Sequence, residues 1–155
     1  MRLKNLKVSK KTHKFLLDKL KDRRIFQIYK KFESNLFIKK KFIVAVSGGP
    51  DSLALSFLTK IYSIKKSIDI KYFIVDHNLR KNSTLEAEYI KKKLKNFSIK
   101  LDILEWKGTK PRKNIQSIAR EKRYKLLASI AKKNKINDIL LGHHLDDLFE
   151  NFFIR

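Results

Sequence analysis

Cysteine is absent from the 155 residues. Its absence excludes disulfides, a thiolate zinc site, a persulfide carrier and any iron–sulfur cluster held by this chain. No run approaches the roughly 18 consecutive apolar residues of a membrane-spanning helix. The N-terminus is basic but lacks an apolar stretch followed by small residues, so it does not read as a signal peptide, and the expected compartment is the cytoplasm. Acidic residues are scarce too, 15 against 38 Lys and Arg, for a net charge of +23. That excess is more than solubility requires and points to a polyanionic partner, nucleic acid ahead of an anionic membrane. The competing explanation is a lysine-rich compositional bias that scatters charge over any surface. The charge is uneven, however: residues 1–41 hold 15 basic and 3 acidic side chains.

The length suits one domain with a real core. Residues 1–40 read as a basic N-terminal part, with an arm over 1–12 followed by an amphipathic helix. Leu16, Leu17, Leu20, Ile25, Ile28, Tyr29, Phe32 and Leu36 recur there at helical spacing among lysines and arginines. From Phe42 onward, short apolar runs (Phe42 to Val46, Ile70 to Val75, Ile99 to Ile103, Ile136 to Leu141) alternate with helical patterns. Such alternation predicts βαβ units and an open, Rossmann-like parallel α/β sheet of at least four strands with flanking helices. The third strand alternates with polar residues and belongs near an edge. Ser83 with Glu86 three residues on has the form of a capping box. Trp106 opens a basic loop and is read as a core anchor, with base stacking as the alternative.

The chain is organised around Ser47-Gly48-Gly49-Pro50-Asp51-Ser52, between the first strand and a helix. Two glycines permit positive φ or close backbone approach, and proline suits the opening of a helix. A strand, turn and helix N-terminus of this kind converges backbone N–H groups and the positive end of the helix dipole on an anion. It is neither a Walker loop nor GxGxxG. A carboxylate among phosphate-binding amides makes sense with a divalent cation between them, so Asp51 suggests magnesium. The plain alternative is an ordinary βα turn with Asp51 and Ser52 as helix caps.

Two further groups lie where strands end, on the edge at which open α/β sheets bind ligands. Asp76, His77 and Asn78 follow the second strand; they either shape a turn or border a nucleotide. Gly142 to Asn151 follow the fourth. On a helix, His143, Asp147 and Glu150 fall at i, i+4 and i+7 and share a face. Two histidines and three acids within eight positions suggest a reactive site. Arg120, on the polar side of the preceding helix, either reaches phosphate or is solvated.

The SGGPDS turn resembles the SGGxDS pyrophosphate loop of the PP-loop (N-type) ATP pyrophosphatases. Val75-Asp76-His77 with Leu79-Arg80, Asn114-Ile115-Gln116 with Ala119-Arg120 and Arg123-Tyr124, and Leu141-Gly142-His143-His144 with Asp146-Asp147 and Glu150 are together similar to the tRNA(Ile)-lysidine synthases, from about Phe42 to Arg155. Leu148 and Asn151 depart from the Gln and Thr common in that family. The resemblance implies an adenine nucleotide alpha hydrolase-like fold and a catalytic domain over 41–155 whose C-terminal part is missing, in keeping with the apolar helical pattern still running at Phe152 and Phe153. It also implies a ligase. The C2 oxygen of the wobble cytidine in a CAU-anticodon isoleucine tRNA attacks the α-phosphate of ATP and releases pyrophosphate, and free L-lysine then displaces AMP to give lysidine. On this resemblance Ser47, Gly48, Gly49, Pro50, Asp51, Ser52, Asp76 and Arg120 bind ATP, and Asp51 and Asp147 hold Mg2+. Asp147 and Glu150 orient the lysine ammonium, and His143 assists proton transfer. The rival expectations are another PP-loop adenylating enzyme, acting on tRNA or on an amide-forming substrate, and a non-catalytic nucleotide- or RNA-binding remnant.

Overall fold

The computed structural model describes residues 2–38 and 40–142, with side chains from Lys10 onward. Four parallel strands form one sheet in the order β3-β2-β1-β4: β1 (Phe42–Val46), β2 (Ile70–Asp76), β3 (Leu101–Glu105) and β4 (Ile139–Leu141). β1 pairs with β2 in the register Phe42↔Ile70 and with β4 in the register Ile43↔Ile139. All five residues of β1 are buried, as a strand covered on both faces requires. Its side chains alternate between two cores. Phe42, Val44 and Val46 enter one with Ile61, Tyr62, Tyr72 and Leu94, while Ile43 and Ala45 meet Leu127, Ala131 and Ile136 in the other.

Helices α3 (Pro50–Lys66) and α4 (Ser83–Lys95) cover the first face and α5 (Ile115–Asn134) the second. The chain moves outward from β1 to β2 to β3 and then returns to the far side of β1. Crossovers of one hand put the returning helix on the opposite face. The point where the strand order reverses, between β1 and β4, is where such sheets bind ligands. The half-exposed β3 is at the edge, as its alternating sequence predicts.

The sheet's opposite end is tied by lysines. Lys41 donates from Nζ to the carbonyl of Asn134 (3.1 Å), and Lys71 donates to Asn134 Oδ1 (2.6 Å), so two cations hold the last residue of α5 where the helix dipole is negative.

Several sequence expectations change. The segment expected as an arm is helical: α1 runs Arg2–Asp18, a 3-10 turn covers Lys19–Lys21, and α2 runs Arg23–Asn35. Asp22 causes the break, because its carboxylate accepts from Arg24 N (2.8 Å) and Ile25 N (3.1 Å) and starts a new helix, a cap worth about 1 kcal/mol. Leu16 of α1 and Tyr29 of α2 are fully buried in the first core, so the pair forms a hairpin anchored on α3. The capping box does not form: Asn82 is the N-cap, Ser83 Oγ is buried with no hydrogen-bond partner among the described residues, and Glu86 instead pairs with Arg80 (3.3 Å). Ile115, the first residue of α5, is 43% exposed although apolar. The fourth strand is confined to Ile139–Leu141, although Ile136 is buried ahead of it. Among the described residues no helix is long and apolar enough to cross a membrane.

Candidate active site

Proline stands at the first position of α3, with Gly49 as N-cap and Gly48 at φ +88°, a conformation that favours glycine. Ser52, 2% exposed, sits inside the turn. Its Oγ accepts from Ser47 N (3.2 Å), Gly48 N (3.1 Å) and the Ser47 hydroxyl (3.1 Å), and donates to the Gly49 carbonyl (2.9 Å). Two of the amides expected to face a phosphate are therefore committed to this serine. The first helical bond runs from Leu53 N to the Gly49 carbonyl, so Gly49 N precedes the ladder and α3 opens with its dipole toward the turn. Asp51 is exposed in the first turn of the helix. A hard carboxylate beside a phosphate-binding turn suits magnesium, which needs only one or two such ligands and keeps several waters.

Below the turn, Ser52, Ser56 and Thr59 form a buried row on α3. Ser56 Oγ donates to the Ser52 carbonyl (2.7 Å) and Thr59 Oγ1 to that of Leu55 (2.8 Å), so these small hydroxyls satisfy themselves on their own helix and let it approach the sheet.

A cavity of about 490 Å³ opens at the carboxyl ends of the strands. Ser47 and Gly48, Asp76 and His77, Arg123, and Leu141 and Gly142 all contribute to its wall. The structure thus gathers around one hollow three motifs separated by up to 95 positions in sequence. Arg80, Ser83 and Glu86 add further polar groups, while Ile90, Leu127 and Tyr89 supply apolar wall, so the lining is mainly apolar with several polar groups converging on it.

Asp76 both shapes the turn and borders the hollow. Oδ1 accepts from Asn78 N (2.8 Å), Oδ2 from Thr84 Oγ1 (2.6 Å), and its carbonyl from Trp106 N (2.8 Å). Burial alone would raise the Asp76 pKa, but the Thr84 bond, the nearby Ser83 hydroxyl, the Asn78 N–H and His77 outweigh it and hold the carboxyl below its usual value.

Both ring nitrogens of His77 are buried with no hydrogen-bond partner among the described residues. The ring meets Trp106 edge to face, with centroids 6.2 Å apart. Burial lowers the imidazole pKa, Arg123 and Lys110 lower it further, and Asp76 opposes them. Trp106 is a core anchor, 6% exposed, with the Lys110 ammonium 4.1 Å from its ring centroid and bonded to its carbonyl (2.6 Å).

Arg120 is placed differently from its neighbour. It turns to Tyr124 (Nη2 to Oη, 3.4 Å) and is not part of the cavity wall, whereas Arg123 is. No carboxylate pairs with Arg123 among the described residues, and burial lowers its pKa although a guanidinium stays charged. The signal for Arg123 was in the sequence: it interrupts the inward row Ala119, Leu127, Ala131 at i+4 spacing. Gly142 gains its role from a contact that its own segment does not show. A Cβ there would lie 2.9 Å from Ser52 Cα and N, so the end of β4 presses on the start of α3. His143, Asp147 and Glu150 lie outside the described residues, and the described ones contain no group of three potential metal ligands.

The fold and rim define an open parallel α/β domain with a glycine turn at its topological switch point. The PP-loop domain family matches residues 17–155, and the chain belongs to that family. Among curated relatives, it is 41% identical over 124 residues to a tRNA(Ile)-lysidine synthase of Orientia tsutsugamushi, covering 80% of this chain and 27% of that protein. It is 39% identical over 134 residues to the synthase of Rickettsia bellii (83% and 31%) and 40% over 125 residues to that of Lactobacillus gasseri (79% and 29%). The chain therefore spans under a third of the length of these relatives. A U34-tRNA thiolase from Methanococcus maripaludis, solved with its 4Fe–4S cluster, superposes with a TM-score of 0.67 at 22% identity, over 81% of this chain and 48% of that one. That likeness is one of fold.

Proposed function

We propose that this domain holds ATP at the carboxyl rim of the sheet and uses it to activate the wobble cytidine of a CAU-anticodon isoleucine tRNA for ligation to free lysine. The observation that carries the reading is the convergence of the glycine turn, the end of β2 and the end of β4 on one cavity. The relatives' names supply the substrates, and the absence of cysteine disfavours a thiolase that holds a cluster through its own thiolates.

The cytidine C2 oxygen bonds to the α-phosphorus as the bond to the β-phosphate oxygen breaks, and pyrophosphate leaves. The lysine side-chain amine then attacks C2, AMP departs with the oxygen, and the amine loses a proton. Gly49 N and the first turn of α3 receive the departing pyrophosphate, since Ser47 N and Gly48 N serve Ser52 and keep the turn in shape. Arg123, from the wall, faces the α-phosphate, and the role expected of Arg120 passes to it. Asp51 and Asp147 would hold Mg2+, which offsets charge on the phosphates when bound. Asp147 and Glu150 take the lysine ammonium, and the His143 imidazole accepts a proton. The reaction belongs to the cytoplasm, where tRNA, ATP and lysine meet.

Incubated with ATP, magnesium, lysine and the tRNA, the protein converts one cytidine with a gain of the mass of lysine less water. Asp51→Asn abolishes pyrophosphate release while its thermal melt matches the parent. Full activity in that variant would remove Asp51 from the mechanism.

A further inference from the structure

We infer that the outer face of the α1–α2 hairpin is a docking surface for the phosphate backbone of RNA, set apart from the reaction centre. The inference rests on the reading of tRNA as partner but concerns residues that the reaction does not use. The family match begins at residue 17, so nearly all of α1 lies outside it. Leu16 and Tyr29 are the inward anchors of the two helices, both fully buried. Lys10, Lys11 and Lys14 lie across α1 from Leu16, and Arg24 and Lys31 lie across α2 from Tyr29, all exposed.

The hairpin's three acids are already engaged. Asp18 pairs with Lys21 (2.8 Å), Asp22 caps α2, and Glu33 pairs with Lys30 (3.2 Å) and Lys66 (3.4 Å). No carboxylate among the described residues lies within ion-pair distance of the five outward cations, and Lys14 feels one, Asp18, through its field. Desolvating an ion pair is therefore not the cost of bringing phosphate to them, and counterion release favours it.

Two exposed rings on the same helices each meet a further lysine. Phe15 has the Lys19 ammonium 4.9 Å from its centroid and Phe26 that of Lys30 at 5.9 Å. Aromatic surface interleaved with cations suits unpaired bases beside a phosphate backbone. A helix lying in a membrane surface would turn its whole apolar stripe outward; here the anchors Leu16 and Tyr29 point into the core, while Leu17 and Ile28 join Phe15 and Phe26 as exposed apolar surface, so the vesicle arm of the test decides between the two surfaces.

The hairpin packs on the later half of α3 at Ile61, Tyr62 and Lys66, roughly 15 to 25 Å from the glycine turn at 1.5 Å per residue. An RNA spanning both places would gain affinity at the hairpin without altering the chemistry at the rim.

The test compares the parent with K11Q/K14Q/K31Q and with K92Q/K95Q/K100Q, which removes equal charge from an exposed part of the α4 side. Binding of an isoleucine tRNA transcript is measured against salt. The hairpin variant is expected to weaken binding about tenfold or more and to lower the slope of log K against log salt by about 2 to 3, from roughly 0.7–0.9 per phosphate contact. The control stays within about twofold, and ATP affinity is unchanged in both. An unrelated elongator tRNA shows the same dependence.

Equal weakening by the two variants would overturn the inference, as would preferential capture of the parent by phosphatidylserine vesicles in the presence of tRNA. If lysidine never forms but RNA binding follows the hairpin, only the proposed reaction fails. If lysidine forms with an unchanged KM for tRNA in K11Q/K14Q/K31Q, only the docking surface fails.

Discussion

Gly142 and Ser52 meet backbone to backbone at the switch point of the sheet, so closely that a methyl group on Gly142 would sit 2.9 Å from Ser52 N. Since Ser52 also holds the amides of Ser47 and Gly48, one contact couples the end of β4 to the shape of the glycine turn. Gly142→Ala must push α3 or β4 aside. The expected cost is about 1–3 kcal/mol, read from the urea midpoint, with weaker ATP binding by calorimetry. An unchanged midpoint together with parental ATP affinity would show that the contact is not tight.

The different placements of Arg120 and Arg123 give a second prediction. Arg123 faces the cavity without a carboxylate partner among the described residues, so removing its charge should cost a charge-assisted bond of about 1.5–3 kcal/mol. Arg123→Gln therefore weakens ATP binding about tenfold or more. Arg120→Gln, on a side chain bonded to Tyr124, stays within about threefold. The reverse order in a titration with ATP would return the phosphate role to Arg120.

His77 makes stability depend on pH. Its folded pKa is lowered, chiefly by burial, so the unfolded chain binds the proton more readily than the folded one. The stability contributed by the neutral ring is fully present above the unfolded pKa of about 6.5 and is lost as pH falls through the folded value. Melting temperature should therefore drop from pH 7.5 to pH 5.5, and His77→Phe should make part of that drop disappear. His13, lowered by burial and by Lys60, acts in the same window, so the variant is compared with the parent at each pH. Identical pH profiles would mean that the imidazole is already solvated.

Much of this arrangement was legible in the residues themselves. The Val-rich run before SGGPDS could only be a doubly covered strand, and Pro50 marked the first helical position because its missing N–H costs nothing there. The half-polar pattern of Leu101 to Glu105 gave its place at the edge. What the pattern did not carry was contact between distant segments. Nothing local distinguishes Gly142 from any glycine after a strand; its meaning comes from Ser52, ninety positions earlier. The row Ser52, Ser56, Thr59 looks polar, yet it is buried because each hydroxyl bonds its own helix or turn. Asp22 was readable as a cap, and overlooking it merged two helices into one.

The lysines that clasp Asn134 change how the chain's positive charge should be counted. Lys41 and Lys71 are rivets at the base of the sheet, each bonded within the protein and outside the wall of the cavity. Acetylating them would loosen the seat of α5 and leave the proposed RNA-docking face unaltered, whereas acetylating Lys11 or Lys14 would do the opposite. Tallying basic residues therefore overstates the adhesive ones, and the same modification has two different outcomes depending on which end of the molecule receives it.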